Sequence, residues 1–185
     1  MSLTELLGFL FALGGILLAI KQIKWNWISN IISSLFYLFA FYEIQLYADA
    51  GLQILFIVMS ILGFINWNNP KYASLEAVSR LNRKEILNYS VGFIITAVVI
   101  ITINYTYTNS DVPFWDGGLT AASVITTFMA IKKKIESWLV WMLIDALYIP
   151  LYLYKSYILS SILYALYIIL AYLAYREWKK HLLHA

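Results

Sequence analysis

The sequence predicts an all-α membrane protein with seven transmembrane helices, and three observations predict it. Hydrophobic residues make up 62% of the 185 and charged residues only 12%, more apolar surface than a soluble domain of this length can hide. The apolar content falls in long runs separated by short charged turns. Spanning helices require this, because in lipid every backbone N–H and C=O must be satisfied within its own segment. Numbering the connections then sorts the basic residues. Lys21, Lys24, Lys71, Arg80, Arg83, Lys84, Lys132, Lys133, Lys134, Arg176, Lys179 and Lys180 share one side, and the other holds only Lys155, with the acidic Glu5, Glu43 and Asp111. A wrong helix count would scramble that sorting. Lys and Arg near span ends stay in the cytoplasm, so the N-terminus is expected outside and the C-terminus inside.

The first span, Leu3–Ile20, is an unbroken apolar run. Its basic residues follow rather than precede it and no small-residue cleavage site closes it, so it reads as a retained helix and not a signal peptide. Trp27–Tyr42 and Tyr47–Trp67 are the second and third spans. Several spans fall short of the roughly 20 residues that cross about 30 Å of hydrocarbon, and Trp and Tyr at their ends complete the crossing. Asn68 to Glu85 is the longest polar stretch, with Pro70 and mixed charges. It reads as a cytoplasmic connector carrying a short surface helix. The fourth span is Ile86–Ile103. Asn104 to Pro113 is polar and free of Lys and Arg, as an external loop should be. Trp115–Ile131, Ser137–Tyr154 and Tyr157–Tyr175 complete the set.

The chain repeats itself. Set without a gap against Ala130–Trp178, the stretch Ala19–Trp67 places Ala19-Ile20-Lys21 on Ala130-Ile131-Lys132, Trp27 on Trp138, Tyr37 on Tyr148 and Trp67 on Trp178. Identities are few, but the order of apolar span, lysines, Trp-led span, turn and aromatic span matches. The expected organisation is 3+1+3: residues 1–67 form the first three-helix repeat, 68–104 the cytoplasmic connector and linker helix, 105–178 the second repeat and 179–185 a cytoplasmic tail. The repeats start four spans apart, an even number, so they are parallel repeats, a device that transporters use to bind substrate near the membrane midplane.

Absences narrow the chemistry. There is no cysteine, hence no disulfide, thiolate nucleophile or Cys-ligated metal. The only histidines, His181 and His184, lie in the tail, so nothing in the spans calls for a metal or other cofactor. No Gly-x-x-x-x-Gly-Lys-Ser/Thr loop marks an ATP motor. The net charge of +3 follows from topology and contact with membrane lipid. Basic turns scattered between spans do not make the continuous stripe that a nucleic acid needs.

Polar residues inside the spans carry the functional reading. Asp145 lies near the middle of its helix, where a carboxylate costs at least about 2.5–3.5 kcal/mol, and no Lys or Arg lies at similar depth. It faces a cavity or ligand, or it is tied to neighbouring hydroxyls and holds two helices together. Trp138, Trp141, Asp145 and Tyr148 step by three, four and three, so they share one helix face. Such a stripe is either packing, with Trp138 an interfacial anchor, or a set of π-faces flanking a counter-charge for a flat cationic ring. Asn30, Ser34 and Tyr37 occupy the corresponding face of the pseudo-equivalent helix. Gln53 carries a donor and an acceptor suited to an amide or hydroxyl. Asp116, after Trp115, is either a first-turn carboxylate at a helix start or part of a site, and Asp49 lies one turn before Gln53.

These residues resemble the PnuC family of bacterial vitamin transporters. The resemblance rests on Gln45-Leu46-Tyr47-Ala48 followed by Leu52-Gln53, on Gly63 with Trp67, on Pro113-Phe114-Trp115-Asp116, and on Glu136-Ser137-Trp138-Leu139-Val140-Trp141 reaching Asp145. It covers nearly the whole chain. It implies a full-length relative of the SWEET sugar transporters, with seven helices in parallel repeats, acting in the bacterial cytoplasmic membrane as a homo-oligomer. It also implies a carrier and not an enzyme, taking up a vitamin precursor by facilitated diffusion that a cytoplasmic vitamin kinase makes one-way. Members associated with nicotinamide riboside tend to have Asn where this chain has Asp145, and thiamine-type members are closer there. The expected substrate is nicotinamide riboside, with thiamine the alternative, and the candidate binding residues are those named above, Trp115 and Asp116 included. A seven-helix receptor or light-driven pump fits less well, since covalent retinal attachment would need a mid-span lysine in the last helix whereas Lys155 sits at a turn. So does an intramembrane enzyme, for want of a Gly-x-Gly-Asp element and a second deep Asp.

Overall fold

The computed structural model describes residues 3–43, 47–107, 112–154 and 158–182. Gln45, Leu46, Asp111, Lys155, Tyr157 and His184, used above, lie outside the described residues. The chain forms α1 (Leu3–Ile20), α2 (Trp25–Glu43), α3 (Tyr47–Asn68), α4 (Pro70–Ala73), α5 (Arg83–Tyr107), α6 (Pro113–Ile131), α7 (Glu136–Tyr154) and α8 (Ile158–Leu182), with a 3₁₀ turn at Leu75–Ala77. The fold is all-helical. Four stretches, Ala50–Asn68, Arg83–Tyr107, Pro113–Ile131 and Glu136–Tyr154, are long and apolar enough to cross a membrane, and Leu6–Ile20 is a shorter apolar helix. Asn26, Ser29, Asn30, Ser33 and Ser34 lower the hydropathy of α2.

Helix ends move outward from the apolar runs because local hydrogen bonds set them. The Asn82 side-chain oxygen accepts from the Glu85 N–H at 2.9 Å while Glu85 Oε2 accepts from the Asn82 N–H at 2.9 Å. This capping box starts α5 at Arg83, three residues before the apolar run. Pro113 opens α6 ahead of Trp115, its missing N–H costing nothing in the first turn.

Two compact units divide the chain, one made of Met1–Val78 with Lys180–Ala185 and the other of Ser79–Lys179. In the first, α2 packs on both α1 and α3. Ser29 Oγ donates to the Phe11 carbonyl and Ser33 Oγ to that of Gly8, both at 2.7 Å, so serines satisfied by main-chain oxygens line the α1–α2 seam. A Cβ at Gly63 would overlap the Trp27 indole, whose ring meets Trp67 edge-on at 5.4 Å and 88°. In the second unit α6 packs on α5 and α7, and Trp138 meets Trp178 edge-on at 5.3 Å and 88°.

The turns after α1 and α6 share one construction. Gln22 N–H donates to Ala19 O and Ile23 N–H to Leu18 O, while Lys133 N–H donates to Ala130 O and Lys134 N–H to Met129 O. Each is a Schellman turn, with Gln22 at φ 55 and Lys133 at φ 50 where glycine is usual. The connector docks on the second turn. Ser79 N–H donates to Lys133 O at 3.2 Å, Ile135 N–H donates to Ser79 O at 3.1 Å, the Leu81 N–H donates to Glu136 Oε2 at 3.0 Å, and Lys134 pairs with Glu85 at 2.7 Å. Lys133 itself is buried, and burial pushes its ammonium down to about 8. No residue of α5 is buried; Leu87, Ile94, Ile95 and Val98 are each at least 60% exposed, a surface suited to lipid and not to water.

Candidate functional site

The stripe read on α7 is the buried face of that helix. Trp138 and Asp145 are buried and Trp141 and Tyr148 half-buried, whereas Leu139, Leu143 and Leu147 between them are exposed. Asp145 is 5% exposed, and no hydrogen bond or ion pair joins it to another described residue. Tyr148 is held one turn further along by hydrogen bonds with Thr120 and Ser123 of α6. Together with Trp141 it packs against the apolar cluster Leu119, Ile144 and Leu151. Trp138 is occupied by its contact with Trp178, and its Nε1 and the neighbouring Ser137 Oγ have no hydrogen-bond partner among the described residues.

On α6, Asp116, Thr120 and Ser123 step by four and three and so share a face. Asn104 Nδ2 donates to Asp116 Oδ2 at 3.4 Å, and Asp116 lies near enough to Tyr148 to interact with it electrostatically. Trp115, at the start of α6, is 42% exposed. A set of tyrosines closes the group. The Tyr164 ring lies 4.7 Å from that of Tyr148, 5.2 Å from Tyr152 and 5.8 Å from Tyr167. Tyr164 also hydrogen-bonds with Tyr152 and interacts electrostatically with Asp145.

In the first unit Asn30 and Tyr37 rest on α1. The Asn30 carboxamide oxygen lies where a Cβ at Gly15 would sit, and the Tyr37 ring passes 3.1 Å from the Cβ position of Gly8 and stacks on Phe41 at 6.0 Å. Ser34 is buried and Gln53 half-buried. Asp49 falls in the first turns of α3, and its side chain lies outside what is described. Sequence patterning alone does not mark Tyr152 or Tyr164, since each is one more aromatic in an aromatic-rich span; for Thr120 and Ser123 the Asp116–Thr120–Ser123 spacing is the available signal. Among the described residues no group of three or more His, Asp or Glu could hold a metal ion.

A buried acid that no described residue pairs, on one helix face with Trp141 and Tyr148 and set among helices apolar enough to cross a membrane, fits a multi-pass membrane carrier of a small molecule. The chain belongs to the nicotinamide mononucleotide transporter family, whose profile matches residues 2–180. It is 23% identical over 182 residues to the riboflavin/roseoflavin transporter RibM of Streptomyces davaonensis, covering 95% of this chain and 84% of that one. It is 22% identical over 179 residues to the nicotinamide riboside transporter PnuC of Escherichia coli, covering 83% and 75%. The crystal structure of the vitamin B3 transporter PnuC matches with a TM-score of 0.77 at 18% identity, over 98% of this chain and 82% of the other. The family and these relatives are transporters and not enzymes.

Proposed function

We propose that the protein takes up an unphosphorylated cationic vitamin precursor across the bacterial cytoplasmic membrane, with nicotinamide riboside as the substrate. The observation that carries this reading is Asp145: a carboxylate 5% exposed, without an ion-pair partner among the described residues, on the helix face it shares with Trp141 and Tyr148. A buried charge lacking a partner is costly, and a ligand cation supplies the missing partner. Pyridinium and thiazolium both fit, so thiamine is the second reading, favoured by an acid at a position where an amide would serve a neutral contact. Phosphate on the product adds negative charge beside Asp145 with no Arg to clamp it. Cytoplasmic phosphorylation by a vitamin kinase would therefore trap the product and draw facilitated diffusion inward.

Seven spans in a 3+1+3 parallel, SWEET-like arrangement go with this function. Support comes from the matched Schellman turns at Gln22 and Lys133 and the matched edge-on pairs Trp27–Trp67 and Trp138–Trp178, which recur in one register. The N-terminus lies outside and the C-terminus inside, and the carrier works as a homo-oligomer. Uptake of nicotinamide riboside, thiamine and riboflavin into proteoliposomes without an ion gradient tests the reading. A cation should equilibrate and stop. Accumulation above the outside concentration driven by an imposed proton or sodium gradient would refute facilitated diffusion, and uptake of riboflavin alone would refute the cation.

A further inference from the structure

We propose that Tyr164 of α8 is a specificity-determining wall of the ligand site, selecting a flat cation over a neutral ring in concert with Asp145. The proposal deepens the reading above and rests on it. Its ground is where Tyr164 sits: within 5.2 Å, centroid to centroid, of both Tyr148 and Tyr152, hydrogen-bonded with Tyr152 and in electrostatic reach of the Asp145 carboxylate. α7 supplies the acid and two of the rings. α8 alone supplies Tyr164, and the second tyrosine of that helix, Tyr167, meets it edge-on at 5.8 Å and 76°.

Packing by itself does not account for this choice of residues. Filling space between two membrane helices is served by Leu or Phe, whereas each phenol brings an oxygen that must find a partner where no water reaches. In this group the oxygens of Tyr148 and Tyr152–Tyr164 are satisfied by Thr120, Ser123 and each other. The hydroxyls are thereby turned to protein partners, and their hydrogen bonds fix the ring planes. Fixed π-faces beside a lone carboxylate present negative potential from more than one direction, and a cation gains from both at once. A neutral ring gains stacking only. The first half of the chain differs here: at the register that sets Trp27 against Trp138 and Gln22 against Lys133, Tyr164 falls on Gln53. One half thus places a phenol where the other places a carboxamide.

The test uses the full-length protein purified in detergent, with dissociation constants for nicotinamide riboside, thiamine and riboflavin and a thermal melt for each variant. Tyr164→Phe keeps the face and loses the hydroxyl, and should bind the preferred cation within about threefold of wild type. Tyr164→Ala and Tyr164→Gln should weaken the cation about tenfold or more while leaving riboflavin nearly unchanged, so that the cation-over-neutral ratio collapses. A structural role would instead lower melting temperature and move all ligands together, and that outcome overturns the proposal. So does a Tyr164→Ala variant that holds the cation as tightly as wild type while Asp145→Ala releases it; the cation reading then stands without Tyr164. A wild type that binds neither cation overturns the reading beneath it. Where Tyr164→Ala does not fold, Tyr164→Gln against Tyr164→Phe carries the comparison, and equal cation affinities for those two overturn the proposal.

Discussion

Replacing Asp145 by asparagine separates the two roles a buried acid can play, because they give opposite signs in two measurements. Asn keeps the shape and hydrogen-bonding capacity and removes the charge. At 4 Å and an effective dielectric of 20, a unit charge pair is worth about 4 kcal/mol. Bringing the ligand cation out of water cancels much of it. The expected net loss in binding is about 1.4–2 kcal/mol, roughly ten- to thirty-fold in dissociation constant, and Asp145→Ala should lose more. In the ligand-free protein the sign reverses. Asp145 is buried and bonded to no other described residue, so a neutral isostere relieves a cost, and melting temperature should rise by about 2–4 °C per kcal/mol relieved. Titration calorimetry and thermal melts on the same detergent preparations read both quantities. Trp141→Ala should weaken binding more than Trp141→Phe, which retains a smaller π-face. If Asp145→Asn binds both vitamins as tightly as wild type and melts lower, the acid is helix glue and the counter-charge role is wrong.

Four further outcomes follow from the geometry. Gly63→Ala drives a methyl into the Trp27 indole and should destabilise by about 1–3 kcal/mol, read as a lowered melting temperature that a smaller residue at Trp27 partly restores. Gln22→Gly relieves a left-handed backbone at φ 55 and should stabilise by about 1 kcal/mol; a lower melting temperature would count against the turn. Lys133, pushed down to about 8 from 10.5 by burial, holds fewer protons folded than unfolded across that window. Stability should therefore rise with pH from about 8 to 10.5, and Lys133→Met should flatten that slope relative to wild type in melts across the range. A C-terminal reporter should be cytoplasmic, and a cysteine at Thr106, exposed at the end of α5, should label from outside intact cells; labelling of the 71–85 connector from outside would overturn the topology.

The helices were legible because lipid leaves the backbone one solution, so apolar runs between charged turns translate directly into α1, α3, α5, α6 and α7. The buried face of α7 was legible for a related reason. Asp145 is too costly to leave in hydrocarbon, and the three-four-three spacing carries Trp138, Trp141 and Tyr148 round with it. Ends were less legible where a side chain decides them. Asn82 with Glu85 is a sequence signature for a helix start, yet it lies in a stretch whose polarity alone reads as connector. The Schellman turns at Gln22 and Lys133 carried no signal, since residues with side chains take the positive-φ position where glycine is usual.

What sequence reading lacked above all was the rotation of α6 and α8 about their own axes. α8 carries tyrosines at 164, 167, 172 and 175, and with apolar residues all round them no periodicity separates the one facing Asp145 from those facing lipid. Tyr172 is 50% exposed while Tyr164 packs against the rings of Tyr148, Tyr152 and Tyr167, a distinction set by how α8 docks on α7 through Trp178 against Trp138 and through Ser161 Oγ, which donates to Ile149 O at 3.3 Å. That docking has a consequence for Trp138. Its indole is spent on the Trp178 edge in the same manner as Trp27 on Trp67, so the contact that orients α8 and the ring that leads the α7 stripe are one residue. A change at Trp138 would thus alter ligand binding even without touching the ligand, by turning Tyr164 away from Asp145. Loss of binding in a Trp138 variant is evidence of direct contact only if the Tyr164→Phe and Asp145→Asn effects survive in the same background, since coupled residues give non-additive losses.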